Sequence, residues 1–379
     1  MEGYLRRYIE TSVTKDLKRK MVFIGGPRQS GKTTLAKHLL KQSSRRIEEY
    51  YLNWDAAEDR EQLILEHFPT ESGLLVLDEI HKYSRWRQLI KGLYDKRGHE
   101  ISVLVTGSAR LDHFRRGGDS LQGRYYFYRL MPLSLAELEV PTASTVDDLL
   151  TYSGFPEPFL YQSEIETRRW SRDYRTRVIT GDLLDLENVQ DVGIIERMAL
   201  RLPALVGSPL SLNALREDLQ VAHQTVSRWI TMLENLYMLF RLYPFGAPSI
   251  RAVKKEAKHY HLDWCVIPEP GPRFENLTAC HLLKWCFFLQ DTQGRDVELR
   301  YFRDVDRREV DFVVTENGQP ITFVECKLSD KSVSHPLRYL KTRFPEADAI
   351  QIYRGPGQDR TDRDGIRICP AHRFFAELV

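Results

Sequence analysis

The stretch "MVFIGGPRQSGKTTLAKHLL" constrains this chain more than any other. An apolar run ends in two glycines, and a helical pattern starts a few residues later. Gly26, Pro27, Arg28, Gln29, Ser30, Gly31, Lys32 and Thr33 fit G-x-x-x-x-G-K-[ST], and Thr34 continues the segment. Glycines let a backbone curl until successive N–H groups point inward around phosphate oxygens. The helix behind such a loop adds the positive end of its dipole. The motif requires strand, loop, then helix, and both flanks are present. Lys32 is expected to reach the β- and γ-phosphates of a bound nucleotide, and Thr33 to offer a hydroxyl to Mg²⁺.

Two further apolar runs follow. "GLLVLDEIH" delivers Asp78 and Glu79 to the C-terminal end of a strand, where open α/β sheets place ligands. Asp78 is expected to hold Mg²⁺ through water, and Glu79 to polarise the attacking water. The competing reading is a buried strand capped by acids that start the next helix. "ISVLVTGSA" ends in Thr106, Gly107 and Ser108, and Ser108 is taken as a contact to the γ-phosphate or the water; a turn of small residues would look the same. Arg110, Arg115, Arg116 and Arg124 come next, and Arg124 is preferred as an arginine finger within or across subunits. Strands apolar on both faces, alternating with helices, predict a parallel sheet covered on both sides.

From Val146 to Leu242 the spacing becomes helical. Leu212, Leu215 and Leu219 line one short helix; Val226, Ile230, Leu233 and Leu236 line the next. Two helices, a tight turn and a following strand suggest a winged helix-turn-helix. Gln224, Thr225 and Arg228 would then meet bases or phosphates. Nearby Glu217, Asp218 and Glu234 suit a strut that only transmits movement.

Beyond residue 250, "VELRYFRD", "EVDFVV", "ITFVECKL" and "AIQIYRG" read as strands. Glu325 and Lys327 lie two apart, so both project from one face of a strand while Cys326 points the other way. Burying that pair within "ITFV" is costly unless it has a task. Asp311 can come alongside. Asp311 and Glu325 would bind Mg²⁺, with Lys327 orienting a water and Glu275 adding or aligning a ligand. A structural ion pair on a scaffold that no longer cuts is the alternative.

The expected domains are 1–160 for nucleotide binding, 161–250 for the helical and winged-helix part, and 251–379 for the last α/β part. With 55 basic and 53 acidic side chains, charge neither implies nor excludes a nucleic-acid partner. No apolar run reaches the roughly 18 residues of a membrane span, and the start "MEGYLRRYIE" lacks a signal-peptide core. Five cysteines without a CxxC pair fit reduced thiols and a cytoplasmic location.

The order of "GPRQSGKTT", "LLVLDEIHK", "VLVTGSA", "LQGRYYFYRLMPLSLAEL" and "GFPEP" resembles an AAA-type ATPase of a two-part bacterial and archaeal family. Members pair this half with a C-terminal domain of unknown function. The likeness runs on through "HYHLDWCV", "FENL", "EVDFVV" and "VECKLS", and the last three are similar to the PD-(D/E)-x-K nuclease signature. Val310 stands where that signature has its proline. The resemblance implies ATP binding at Gly26 to Thr33, Mg²⁺ assistance from Asp78 and a hydrolytic role for Glu79. It also implies a restriction-endonuclease-like fold holding Asp311, Glu325 and Lys327. ATP and double-stranded DNA are the expected partners, with no membrane and with a homo-oligomer left open. Two functions follow. One is a Mg²⁺-dependent ATPase coupled to a DNA-directed nuclease-like module. The other is a regulatory switch that binds DNA or protein and cuts nothing.

Overall fold

The computed structural model describes residues 4–43, 50–107, 111, 121–183, 191–246 and 257–379. These form two compact units, Met1–Pro132 with Asp291–Gln293, and Leu133–Gln290 with Gly294–Val379. Ser108, Arg110, Arg115 and Arg116 lie outside the described residues.

The first unit is a parallel α/β layer. Its strands are β1 (Met21–Gly25), β2 (Tyr51–Asn53), β3 (Gly73–Asp78), β4 (Ile101–Thr106) and β5 (Tyr125–Arg129). They lie side by side in the order β2-β3-β4-β1-β5, all parallel. Helices α1 (Glu10–Asp16), α2 (Lys32–Ser43), α3 (Ala57–Ile64) and α4 (Trp86–Arg97) accompany them. Alternation along each strand feeds two cores. Met21, Phe23, Leu75, Leu77, Val103 and Val105 pack with Trp86 and Ile90 on one face. Val22, Ile24, Leu74, Val76 and Leu104 pack with Val13, Leu35 and Leu39 on the other. Burial on both faces is why these strands are unbroken apolar runs. Sequence reading finds β1, β3 and β4. It misses β2, which is three residues long, and β5, whose "YYFYR" lacks an aliphatic run.

The second unit begins with helices: α5 (Ala143–Tyr152), α6 (Pro156–Tyr161), α7 (Glu164–Arg177) and α8 (Val192–Arg201). Next come α9 (Leu212–Leu219), α10 (His223–Asn235) and an antiparallel pair, β6 (Leu239–Leu242) with β7 (Lys258–His261). Leu215, Leu219, Val226, Ile230, Leu233 and Leu236 are buried, whereas His223, Gln224 and Arg228 are exposed. Then α11 (Pro270–Gln293) leads into a six-stranded sheet. That sheet contains β8 (Val297–Arg303), β9 (Glu309–Glu316), β10 (Gln319–Lys327), β11 (Asp348–Tyr353), β12 (Arg360–Thr361) and β13 (Arg367–Pro370), ordered β12-β13-β11-β10-β9-β8. β8, β9 and β10 form an antiparallel meander; β10, β11 and β13 run parallel. Phe302, Val310, Val313, Phe323, Leu337, Leu340 and Ile368 form a core here, with α12 (His335–Arg343) covering one face. A last helix, α13 (Ala371–Ala376), completes the unit.

Candidate functional site

Register places the chemistry of the first unit. Ile24 and Asp78 both pair with Thr106, and Gly25 pairs with Arg129, so the C-terminal ends of β1, β3, β4 and β5 are level. The loop from Gly26 to Gly31 rises from that edge. Gly26 has φ +135°, and a Cβ there would sit 2.5 Å from the Leu130 carbonyl oxygen. Only glycine fits. Gln29 (φ 58°) and Gly31 (φ 95°) are also left-handed, which curls the loop before α2 starts at Lys32. Buried Lys32 turns its ammonium back into the loop and donates to the Gly26 (3.1 Å) and Pro27 (2.6 Å) carbonyls.

Asp78 is the hub of the edge. Its Oδ2 accepts from Thr33 Oγ1 (2.8 Å) and from the Tyr51 hydroxyl (2.6 Å), and its Oδ1 accepts from Thr106 Oγ1. Burial first, then the neighbouring Asp78, push the Tyr51 phenol well above its ordinary range, so it stays a donor. Next to the hub, Glu79 has left-handed backbone (φ 55°), which tips its side chain out of the strand alternation. Its Oε2 is buried and accepts no hydrogen bond among the described residues, with Lys82 Nζ at 3.5 Å and His81 Nε2 at 3.6 Å. Burial raises its pKa, while Lys82 and Lys32 oppose the rise.

Arg7 was not singled out from the sequence. It lies near the start of the chain, is 5% exposed, and donates to the Ser30 (2.5 Å) and Met131 (2.6 Å) carbonyls. It therefore braces the loop from behind. Nothing in "GYLRRYIE" signals this, because its partners lie 23 residues away at Ser30 and 124 away at Met131.

Arg124 lies elsewhere. Its carbonyl accepts from the Met21 N–H at the start of β1, and its Nε contacts Asp95 Oδ1 at 2.9 Å. That is the opposite end of the strand from the loop, roughly 16 Å away at about 3.3 Å per residue. The fold does not bring Arg124 to its own loop, so the finger expectation survives only across an interface. Arg129 is at the loop's edge but is held by Asp291 (2.6 Å).

In the second unit, β9 and β10 bring Asp311 and Glu325 together. Val324 pairs with Phe312, and one step further along this antiparallel register the two acids face each other. Asp311 Oδ2 accepts the Cys326 N–H (2.8 Å), and Lys327 Nζ donates to Glu325 Oε1 (2.6 Å). Glu325 Oε2 is buried with no hydrogen-bond partner among the described residues. Burial and Asp311 push Glu325 up to about 7. Burial opposes the Lys327 charge, but Glu325 and Asp311 outweigh it and raise its pKa. Glu275, on α11, accepts from the Tyr260 hydroxyl (2.7 Å) and lies 3.4 Å from Lys258 Nζ; burial, then Asp311, push it up to about 7. Lys258 was missed from the sequence. Fully buried on β7, it bridges Glu275 and Glu309, the latter at 2.5 Å. Its strand, "KHYH", has no apolar run to mark it. Among the described residues no group of three or more His, Cys, Asp or Glu is arranged to hold a metal. All five cysteines are free thiols, and no helix among those residues is long and apolar enough to cross a membrane.

Residues 18–139 match a family described as an AAA domain. Residues 143–267 match Domain of unknown function DUF8612, and residues 270–374 match DUF4143. An uncharacterized protein of Haemophilus influenzae is 23% identical, over 97% of this chain and 96% of its own. One of Mycobacterium tuberculosis is 24% identical, over 90% of this chain and 77% of its own. Among solved structures, the Aeropyrum pernix ORC1 protein in complex with DNA has a TM-score of 0.36 at 14% identity, covering 74% of this chain and 94% of its own. RuvB of Thermotoga maritima has a TM-score of 0.31 at 19% identity, covering 62% and 87%. With the loop, the hub and the parallel sheet in place, residues 18–139 have a parallel α/β P-loop NTPase fold and match the AAA domain family.

Proposed function

We propose that the chain binds and hydrolyses ATP at the Gly26–Thr33 loop, and that the nucleotide state governs a DNA-directed, nuclease-like second unit. The hydrogen bond from Thr33 to Asp78, 2.8 Å long, carries the first half. It joins the loop to the acidic strand end through two hard oxygens, the donor type Mg²⁺ requires. The surroundings fit a triphosphate: Ser30 Oγ is buried without a partner among the described residues, and Gly26 leaves no room for a side chain. Mg²⁺ held by Thr33 and Asp78 would neutralise charge on the β- and γ-oxygens. Lys32 exchanges its two loop carbonyls for phosphate oxygens. Glu79, whose Oε2 accepts no hydrogen bond among the described residues, orients the attacking water and accepts its proton. Thr34 continues the cofactor-binding segment, and Ser108 is kept as a contact to the γ-phosphate.

For the second unit, the pairing of α9 and α10 with the β6–β7 hairpin supports a winged helix that offers exposed Gln224 and Arg228 to DNA. Asp311, Glu325 and Lys327 on adjoining strands support a PD-(D/E)-x-K-like site, and Glu325 Oε2, which accepts no hydrogen bond among the described residues, suits a divalent cation. A cation there would polarise a phosphodiester, with Lys327 steadying the developing charge. One observation favours the switch that cuts nothing: Lys327 and Glu325 already satisfy each other at 2.6 Å.

Measuring both ADP release and Mg²⁺-dependent cleavage of duplex DNA by wild type, Glu79→Gln and Lys327→Ala tests both halves. Glu79→Gln should keep ATP affinity and lose about a hundredfold or more in kcat. Lys327→Ala should leave ATP turnover intact and abolish Mg²⁺-dependent DNA cleavage. Wild-type kcat unchanged in Glu79→Gln rejects the hydrolytic assignment; the absence of cleavage by wild type on any DNA selects the switch.

A further inference from the structure

The second unit holds a cavity of about 460 Å³ that neither the loop chemistry nor the carboxylate pair uses. Three arginines line it from α7: Arg168, Arg172 and Arg175, at i, i+4 and i+7 on one helical face. A fourth, Arg273, enters from the first turn of α11 and is steered by its Nε donating to the Ile267 carbonyl (2.7 Å). Among the described residues, acid does not balance this charge. Glu164 reaches Arg168 at 3.3 Å, and Asp173 reaches Arg172 at 3.6 Å, both exposed contacts. The Arg175 guanidinium has no hydrogen bond or ion pair to a described residue; Glu196 and Asp263 act on it only at longer range, and burial lowers its pKa. Asp263 is already committed to Ser153 and Ser171.

A second observation points the same way. Thr167 lines the cavity, is 2% exposed, and its Oγ1 is buried without a partner among the described residues. An unmet hydroxyl is costly unless something occupies the space in front of it. Four guanidiniums and a hydroxyl offer more donors than one carboxylate can accept. The oxygens of phosphate or pyrophosphate match both the number and the forked geometry. The volume falls within the range of about 300–1,000 Å³ typical of small-ligand pockets.

We propose that this cavity binds a phosphate-bearing small molecule, with Arg175 and Arg273 gripping the phosphate and Thr167 completing its hydrogen bonds. The site is separate from the nucleotide loop of the first unit and does not depend on that reading. Phosphate oxygens also occur along a nucleic-acid backbone, and the test distinguishes the two sources.

Cys265 lines the same cavity and reports on it locally; half-buried Cys326 serves as an internal reference. Iodoacetamide labelling of the full chain, quantified at each cysteine by mass spectrometry, would be run with pyrophosphate, with AMP and with duplex DNA. Ionic strength is matched with NaCl and Mg²⁺ is absent. Near saturation, pyrophosphate or AMP should slow labelling of Cys265 about tenfold and leave Cys326 unchanged, since labelling follows the ligand-free fraction. That protection should vanish in an Arg168→Gln, Arg175→Gln double variant and weaken in Arg175→Lys, which keeps the charge without the fork. Circular dichroism of each variant checks that it is folded. Equal Cys265 rates with and without pyrophosphate and AMP overturn the proposal. So does protection that persists in a folded double variant, or protection by duplex DNA alone.

Discussion

Replacing Lys258 with methionine tests how the carboxylate cluster of the second unit is held. Its ammonium is fully buried between Glu309, at 2.5 Å, and Glu275, at 3.4 Å, with Asp311 adding to the field. Removing one partner of a buried charge group commonly costs about 3–5 kcal/mol. Here the cost divides unequally. Glu309 keeps 30% side-chain exposure and can turn toward water, whereas Glu275 keeps 15% and is shut in. Glu275 can escape only by staying protonated, so the penalty depends on pH. Its folded pKa, about 7, lies above the ordinary 4.5, so the folded state holds the extra proton between those values and stability falls as pH rises through that window. Without Lys258 the folded pKa moves higher, and the loss continues above pH 7 at about 1.4 kcal/mol per pH unit. Urea unfolding of the second unit, followed by tryptophan fluorescence, should show Lys258→Met less stable than wild type by about 3 kcal/mol at pH 8 and about half that at pH 6. Lys258→Arg should recover part of the loss. An equal cost at both pH values would refute the coupling between Lys258 and Glu275, and no cost at either would refute the cluster.

Other consequences follow from the same structure. Gly26→Ala sets a Cβ 2.5 Å from the Leu130 oxygen at φ +135°, so it should cost about 1–3 kcal/mol of stability and abolish binding of a fluorescent ATP analogue; wild-type affinity would contradict the cradle. Arg7→Met removes the brace behind Ser30 and should weaken ATP about tenfold while also costing about 1–3 kcal/mol of stability, since the buried Ser30 and Met131 carbonyls lose this donor; unchanged affinity in the folded variant would leave Arg7 with no part in shaping the loop. Buried His281 accepts the Leu135 N–H at Nε2, which leaves Nδ1–H facing the Leu277 carbonyl, and burial lowers its pKa to about 4 from 6.5. Stability from this group is therefore complete above about pH 6.5 and is lost as pH falls toward 4, costing about 2 kcal/mol by pH 5. His259, also lowered to about 4 by burial, adds to the effect. His281→Gln should flatten the slope between pH 7 and 5 in chemical denaturation, and an unaltered slope would place the acid sensitivity elsewhere.

How much could be read from the chain alone depended on how local each feature's cause is. The phosphate loop is legible because its demands are all contiguous: glycines where φ is positive, then Lys32 and Thr33 on the first turn of α2. Strands β1, β3 and β4 are legible because burial on both faces demands unbroken apolar runs. The two-residue spacing of Glu325 and Lys327 follows from the pleat, which puts alternate residues on one face. Strands β2, β5 and β7 escaped because short or aromatic and polar segments gain their ladder only from neighbours. Tertiary structure alone placed Asp78 within reach of Thr33, Tyr51 and Thr106, set Arg7 behind Ser30, and buried Lys258 among three carboxylates. It alone put Arg124 at the far end of the sheet, since register between strands, not distance along the chain, sets which side chains share an edge. Sequence determined which groups could do chemistry; strand register and burial decided which of them meet, because both depend on contacts between residues far apart in the chain.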